Sequence, residues 1–175
     1  MRPRSLDQFL QRARVPYTTF KHPEAFTAQG EAAVSHVPGR SWAKIVVCIA
    51  DAEPILAVLP APFRLDLEQL RILTGACVLR LASEAEFQQL YPDCEPGAMP
   101  PFGNLYPQRV FVDQSLVGET DMAFNAGTHT DAIRMHYADF AELANPVVGV
   151  IGRLLVSGAP AAARIRKRVD SRRNA

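Results

Sequence analysis

Residues Ala43 to Pro60 read A-K-I-V-V-C-I-A-D-A-E-P-I-L-A-V-L-P. The first eight form a β-branched apolar run, the pattern of a strand buried on both faces. Asp51-Ala52-Glu53-Pro54 supplies turn residues, and Ile55 to Pro60 returns as the second arm of a hairpin. Around this pair the chain alternates short helices and strands. Leu6, Phe9, Leu10 and Ala13 share one face of a first helix, with Ser5 placed to cap it and Pro16 to end it. Tyr17 to His22 is a strand broken by Pro23, and Thr27 can cap a helix that runs to about His36. Asp66 to Leu73 is a helix stopped by Gly75. Val78 to Leu81 is a strand, and Ser83 with Glu86 makes a capping box. Arg109–Asp113, Asp121–Asn125 and Asp131–Met135 are three further strands, and Ala138–Ala144 is a helix stopped by Pro146.

That order predicts the α+β class: a single domain with a mixed, curved sheet surrounded by helices. The expected extent is residues 1–152, followed by a basic tail over 153–175. Arg164, Arg166, Lys167, Arg168, Arg172 and Arg173 stand there against Asp170 alone, so the body of the chain is net acidic. A tail of that charge can neutralise RNA phosphates, and it equally suits a solvated terminus.

Apolar residues at 48% and charged residues at 21% fit a soluble globular protein, and no apolar run is long enough to span a membrane. The N-terminal residues lack an apolar segment behind their arginines, so no signal peptide is expected and the expected location is the cytoplasm. Cys48, Cys77 and Cys94 are scattered and odd in number, which predicts free thiols; neither a metal nor a cofactor is expected.

The segment with the least ordinary composition is Glu95 to Gly103, E-P-G-A-M-P-P-F-G. Glycines open backbone angles closed to other residues, and prolines fix φ and remove amide donors. A loop this rigid and this lean suits a pocket wall where a ligand lies against main-chain amides. A second such segment is F-N-A-G-T-H-T-D, Phe124 to Asp131. Lys44 opens the buried strand with Val46 and Cys48 on its face. It either snorkels to solvent or reaches into a cleft to hold a phosphate or carboxylate. Cys48 is either a thiolate favoured by Lys44 or a small core residue. His129 and Asp131 suit an acid–base pair on a strand, or local hydrogen bonds in a Gly-rich turn. No nucleophile elbow, phosphate loop or acidic metal cluster is present in the sequence. Residue chemistry alone stops at a pocket-bearing domain with no assigned substrate.

Taken together, H-P-E-A-F-T-A (His22–Ala28), Ala43-Lys44, G-A-M-P-P-F-G (Gly97–Gly103) and F-N-A-G-T-H-T-D resemble the YbaK/ProX family. These are freestanding relatives of the editing domain in bacterial prolyl-tRNA synthetase. The resemblance spans roughly residues 5 to 146 and implies hydrolysis of the ester between a wrong amino acid and a tRNA 3′-end. It implies that the loop Gly97-Ala98-Met99-Pro100-Pro101 presents its main-chain amides, which the two prolines do not supply, to the acyl carbonyl, and that Lys44 holds the terminal adenosine and its phosphate. It also implies water attack assisted by the substrate's ribose hydroxyl, without a protein nucleophile. Backbone donors aimed at the developing oxyanion contribute about 3–4 kcal/mol each. Phe102, Gly103, Asn125, Ala126, Gly127, Thr128 and His129 are the expected pocket lining, suited to Ala, Ser, Thr or Cys. The expected partners are the acceptor end of a mischarged tRNA, with Arg164, Arg166, Lys167 and Arg168 on its phosphates, and an aminoacyl-tRNA synthetase. The alternative is a non-catalytic tRNA- or synthetase-binding module using the same pocket.

Overall fold

The computed structural model describes residues 4–155. The hairpin is its axis. Strand β2 (Ala43–Ala50) pairs antiparallel with β3 (Glu53–Pro60) over all eight positions. The turn is only Asp51-Ala52, both with positive φ (47° and 73°), the handedness that a two-residue hairpin requires. Neither is glycine, and Asp51 compensates by accepting hydrogen bonds from the amides of Cys77 (2.9 Å) and Val78 (2.8 Å). Those two bonds hold its carboxyl below the usual range.

Pro54 and Pro60 stand opposite Ile49 and Ala43. A proline is tolerated in a ladder only where no amide is asked of it. The odd-numbered residues of β2 therefore turn their own N–H and C=O groups away from β3. On that far side β5 (Leu79–Leu81) pairs with Cys48–Ala50, and the Ala82 amide donates to the Val47 carbonyl at 3.0 Å. At the opposite end the Ala123 amide donates to the Ser41 carbonyl (2.8 Å) and Trp42 bridges Ala123 in parallel. Among the described residues no strand pairs with Lys44 or Ile45 on that side. The gap between the two attachments is the floor of the candidate site.

Beyond β3 the sheet continues in parallel through β6 (Arg109–Asp113) and β9 (Val147–Gly149), giving the order β5-β2-β3-β6-β9. A second sheet orders β1 (Tyr17–Lys21), β8 (Asp131–His136) and β7 (Asp121–Asn125), all antiparallel, and the Trp42 bridge joins it to the first. A two-stranded piece pairs β4 (Phe63–Leu65) with β10 (Gly152–Leu154). The helices are α1 (Arg4–Ala13), α2 (Ala28–Val34), α3 (Leu67–Thr74), α4 (Glu84–Leu90), α5 (Gln114–Val117) and α6 (Tyr137–Ala144). The expected class holds: a single α+β domain with a mixed sheet and surrounding helices, although its ladders divide into three.

Several details differ from expectation. The first helix begins at Arg4, so Ser5 lies within its first turn and not at the cap. Strands β4, β9 and β10 have three residues each, too few for a period to show. The boundary expected at residue 152 falls inside β10, while Arg164, Arg166, Lys167 and Arg168 lie outside the described residues. Among the described residues no helix is long and apolar enough to cross a membrane.

The main core lies between the sheets and is centred on Phe102, whose ring meets Phe9 (5.2 Å), Phe124 (5.7 Å) and Phe140 (5.6 Å). The chain's return to β10 depends on buried Asp113. One carboxylate oxygen accepts from Ile151 N (2.9 Å) and Gly152 N (2.7 Å), while the other accepts from Ser115 N (3.0 Å). Asp113→Ala leaves those amides without acceptors. It is expected to lower stability by about 3 kcal/mol in urea unfolding; a loss under 1 kcal/mol would remove Asp113 from this role.

Candidate active site

The gap beside Lys44 and Ile45 opens into a cleft of about 330 Å³. Its floor is Ala43, Lys44 and Ile45 of β2, and one wall is Pro96 and Gly97. The other sides come from helix α2, from Asn125 at the end of β7, and from His129 in the turn that follows.

Lys44 neither snorkels freely nor points bare into the cavity. Its ammonium donates to the carbonyls of Phe63 and Ala61 (3.3 Å for the latter), which fixes it at the cleft floor and leaves a proton for a ligand. Partial burial lowers its pKa.

Helix α2 starts cleanly because the Thr27 side chain accepts the Gly30 amide at 3.1 Å. That start turns Ala28, Glu31 and Ala32 inward, at positions i, i+3 and i+4 of one face. Glu31 is only 3% exposed, and a buried carboxylate is costly unless it is paired. Its Oε1 accepts from Asn125 Nδ2 at 2.8 Å and from His129 Nδ1 at 2.6 Å. The carboxylate orients the Asn125 amide, since only the nitrogen can face it.

His129 carries the network to the opposite wall. Its Nε2 lies 2.9 Å from the Pro96 carbonyl, its backbone amide donates to Glu95 Oε2 at 2.7 Å, and the Phe26 ring packs on it at 5.6 Å. Both ring nitrogens face oxygens that only accept, which favours the doubly protonated ring. Burial opposes that charge. The hydrogen bonds to Glu31 and Pro96 and the charges of Glu31 and Glu95 outweigh it, and the pKa of His129 is raised. The two loops are also stitched through their backbones: Glu95 N to Gly127 O and Gly127 N to Ala98 O, each at 2.8 Å.

Of the residues expected from sequence, the cleft gathers Lys44, Gly97, Asn125 and His129. It does not gather the others. Ala98, Met99, Pro100, Pro101, Phe102 and Gly103 are buried, with Met99 and Phe102 in the main core. The Ala98 amide is taken by the Glu95 carbonyl (2.9 Å), so it is not free to meet a substrate. Gly103 is small for packing, because a Cβ there would lie 2.2 Å from the Gln108 carbonyl oxygen. The amide cradle expected over Gly97–Pro101 thus reduces at the cleft to Gly97, whose N–H has no partner among the described residues. Ala126, Gly127 and Thr128 are buried behind the turn. The Thr128 hydroxyl donates to Asp131 Oδ2 (2.8 Å) and accepts the Asp131 amide (3.0 Å), so Asp131 serves local bonds and the acid facing His129 is Glu31. Cys48 is the core residue: fully buried, with its thiol pushed up to about 12 by burial. Sequence reasoning missed Glu31, and it noted Pro96 and Phe26 only within the pocket-wall loop and the His22–Ala28 motif, without a role for either side chain. An acid on the alanine face of a short capped helix was the available signal for Glu31.

Residues 22–143 match the aminoacyl-tRNA editing domain, and the chain belongs to that family. The multifunctional Ser/Thr-tRNA deacylase ProXp-y of Escherichia coli strain K12 is 34% identical over 123 residues, covering 65% of this chain and 72% of that protein. Its counterpart in Escherichia coli O157:H7 matches to the same extent. Among solved structures, hypothetical protein APE2540 shares the fold with a TM-score of 0.76 at 18% identity, over 85% of this chain and 99% of that one. A candidate trans-editing enzyme for prolyl tRNA synthetase also gives 0.76, at 22% identity over 86% and 96%.

Gly97 holds φ at +85°, in the region that disfavours any side chain. Gly97→Ala is expected to cost about 1–2 kcal/mol in urea unfolding. An unchanged midpoint would show that the wall relaxes without strain.

Proposed function

We propose that the cleft hydrolyses the ester linking a small hydroxyl-bearing amino acid, Ser or Thr, to the 3′-end of a tRNA. The protein is then a trans-editing aminoacyl-tRNA deacylase. The observation that carries this reading is the convergence of Lys44, the unpaired Gly97 amide and the Glu31–Asn125–His129 network on one cleft whose lining contains no Ser, Thr or Cys. A site without a hydroxyl or thiol nucleophile but with fixed donors and charges suits attack by water on an already activated acyl group.

The reaction balances without a cofactor. Water oxygen adds to the acyl carbonyl, whose oxygen gains negative charge and lies against the Gly97 N–H. The attacking water gives up one proton through the substrate's neighbouring ribose hydroxyl, the ester C–O bond breaks, and the ribose oxygen leaves with that proton. The products are a free amino acid and an intact tRNA. Lys44 holds the 3′-terminal phosphate, and its anchorage on the Ala61 and Phe63 carbonyls limits the entropy lost on binding. A shallow apolar groove over Val46, Val47, Leu81 and Phe87 adjoins the cleft at Ile45 and Gly97 and offers a surface for the terminal base. In a largely apolar cleft, the side formed by Glu31, Asn125 and His129 favours a side chain that carries a hydroxyl, in keeping with the Ser/Thr activity in the name of the Escherichia coli relative. The enzyme works in the cytoplasm beside the synthetase that makes the error, and the basic residues after 155 add phosphate contacts.

The test is a deacylation panel over Ala-, Ser-, Thr- and Cys-charged tRNAs. Ser- and Thr-tRNA are expected to be hydrolysed, and Lys44→Ala to lower kcat/KM by about 100-fold or more. Full activity in that variant would end the role given to Lys44. Binding without hydrolysis of any substrate would establish a tRNA-binding module instead.

A further inference from the structure

The bridge from Glu31 through His129 to Pro96 joins a helix to a loop that is far away in sequence, and all three residues line the cleft. Its middle member is 12% exposed at the side chain and its acid 4%. We propose that Glu31 is a positioning residue: its carboxylate keeps both nitrogens of His129 protonated, and that ring pins the Pro96 carbonyl and so sets the Gly97 wall. The inference deepens the deacylase reading and rests on it for its kinetic consequence, though not for its structural one.

The argument is one of donors and acceptors. A neutral imidazole has one N–H and one lone pair. Here each nitrogen faces an oxygen, Glu31 Oε1 at 2.6 Å and Pro96 O at 2.9 Å. A neutral ring must turn its lone pair on one of them, and that contact breaks. The Glu31 side is the more tightly held, because Asn125 also donates to the same oxygen. The Pro96 side gives way. Gly97 follows Pro96 directly and has the backbone freedom to move, while the backbone bonds at Glu95 and Ala98 hold the base of the loop.

The charged groups facing the ring define the sign. Glu31 approaches from α2 and Glu95 from the Pro/Gly loop, both favouring the proton. Lys44 lines the same cleft on β2 and its positive charge opposes a proton on the ring, but the Ala61 and Phe63 carbonyls anchor its ammonium at the floor. Asp131, the acid of His129's own turn, is bonded to Thr128. The Phe26 ring packs against the imidazole. A folded-state pKa raised above the ordinary value means that the clamp is fully present below pH about 6.5. It is lost as pH rises through the folded-state value.

Two measurements test this. The first needs no substrate: the His129 ring is titrated by NMR in the unmodified protein and in Glu31→Gln. The unmodified ring is expected to titrate above about 6.5, and the variant about one unit or more lower. The second is the pH profile of kcat/KM on Ser-tRNA, after subtraction of spontaneous ester hydrolysis. An alkaline decline is expected at the His129 pKa; in Glu31→Gln it shifts down by the same amount, and activity recovers to within a few-fold at lower pH. An unmodified ring that titrates at or below 6.5 overturns the proposal. So does a Glu31→Gln profile that is merely scaled down at every pH, which is the mark of a purely structural acid. If no mischarged tRNA is turned over, the deacylase reading fails while the ring titration still decides the clamp.

Discussion

A β-strand has two hydrogen-bonding edges, and the structure depends on how β2 uses its second one. Its first edge is fully committed to β3, with Pro54 and Pro60 at the positions where no amide is required. The second edge is shared: β5 takes the far end, and the link to β7 takes the near end at Trp42. Two neighbours that attach to one edge at opposite ends must leave something between them. What they leave is the stretch at Lys44 and Ile45, where side chains and backbone face a cleft instead of another strand. The site is therefore a consequence of sheet topology and does not require an added domain or an inserted loop.

A gap in a sheet exposes polar backbone and invites either collapse or water. Here the walls are kept apart by charge. Glu31 is buried on a helix face otherwise made of alanine, and an unpaired carboxylate there would cost several kcal/mol. Asn125 and His129 satisfy it from a strand and a turn almost a hundred residues later in the chain. One acid thereby ties α2, the end of β7 and the following turn into a frame, and His129 extends that frame to Pro96. Removing a partner would leave an uncompensated charge, so the frame holds its shape by the cost of every alternative.

Much of this was legible in the sequence, for local reasons. The β2–β3 hairpin, the Thr27 and Ser83 caps and the Gly75 stop all announce themselves within a few residues. Lys44, Gly97, Asn125 and His129 stood out because their neighbours were unusual. What stayed hidden was long-range. Met99 and Phe102 share a segment with Gly97, yet they turn inward to pack the main core. Glycine and proline signal a rigid loop without saying which side faces solvent. Glu31 was illegible as a site residue because its partners lie 94 and 98 positions away. The three-residue strands β4, β9 and β10 are too short to show a period, and β5, equally short, was legible from its flanking turn and cap residues.

The proposed deacylation would give the sparse chemistry of the cleft, and the oxyanion-donor role proposed for Gly97, a physical reason. An acyl ester needs little activation, so a site gains most by holding the carbonyl, the water and the nearest phosphate in fixed relation. A single backbone N–H stabilises an oxyanion only if it cannot retreat as charge develops, because reorganisation would consume the gain. Gly97 alone is poorly suited to that demand, since the flexibility that permits φ of +85° also permits motion. Its neighbours supply the constraint: Pro96 on one side is fixed in φ and tied to His129, and Ala98 on the other is tied through its carbonyl to Gly127. The conformational freedom of the glycine is thus used to reach the geometry, and the flanking bonds remove it once the geometry is reached. A side-chain nucleophile would have had to share this narrow wall with the oxyanion donor; water, the smallest nucleophile available, does not.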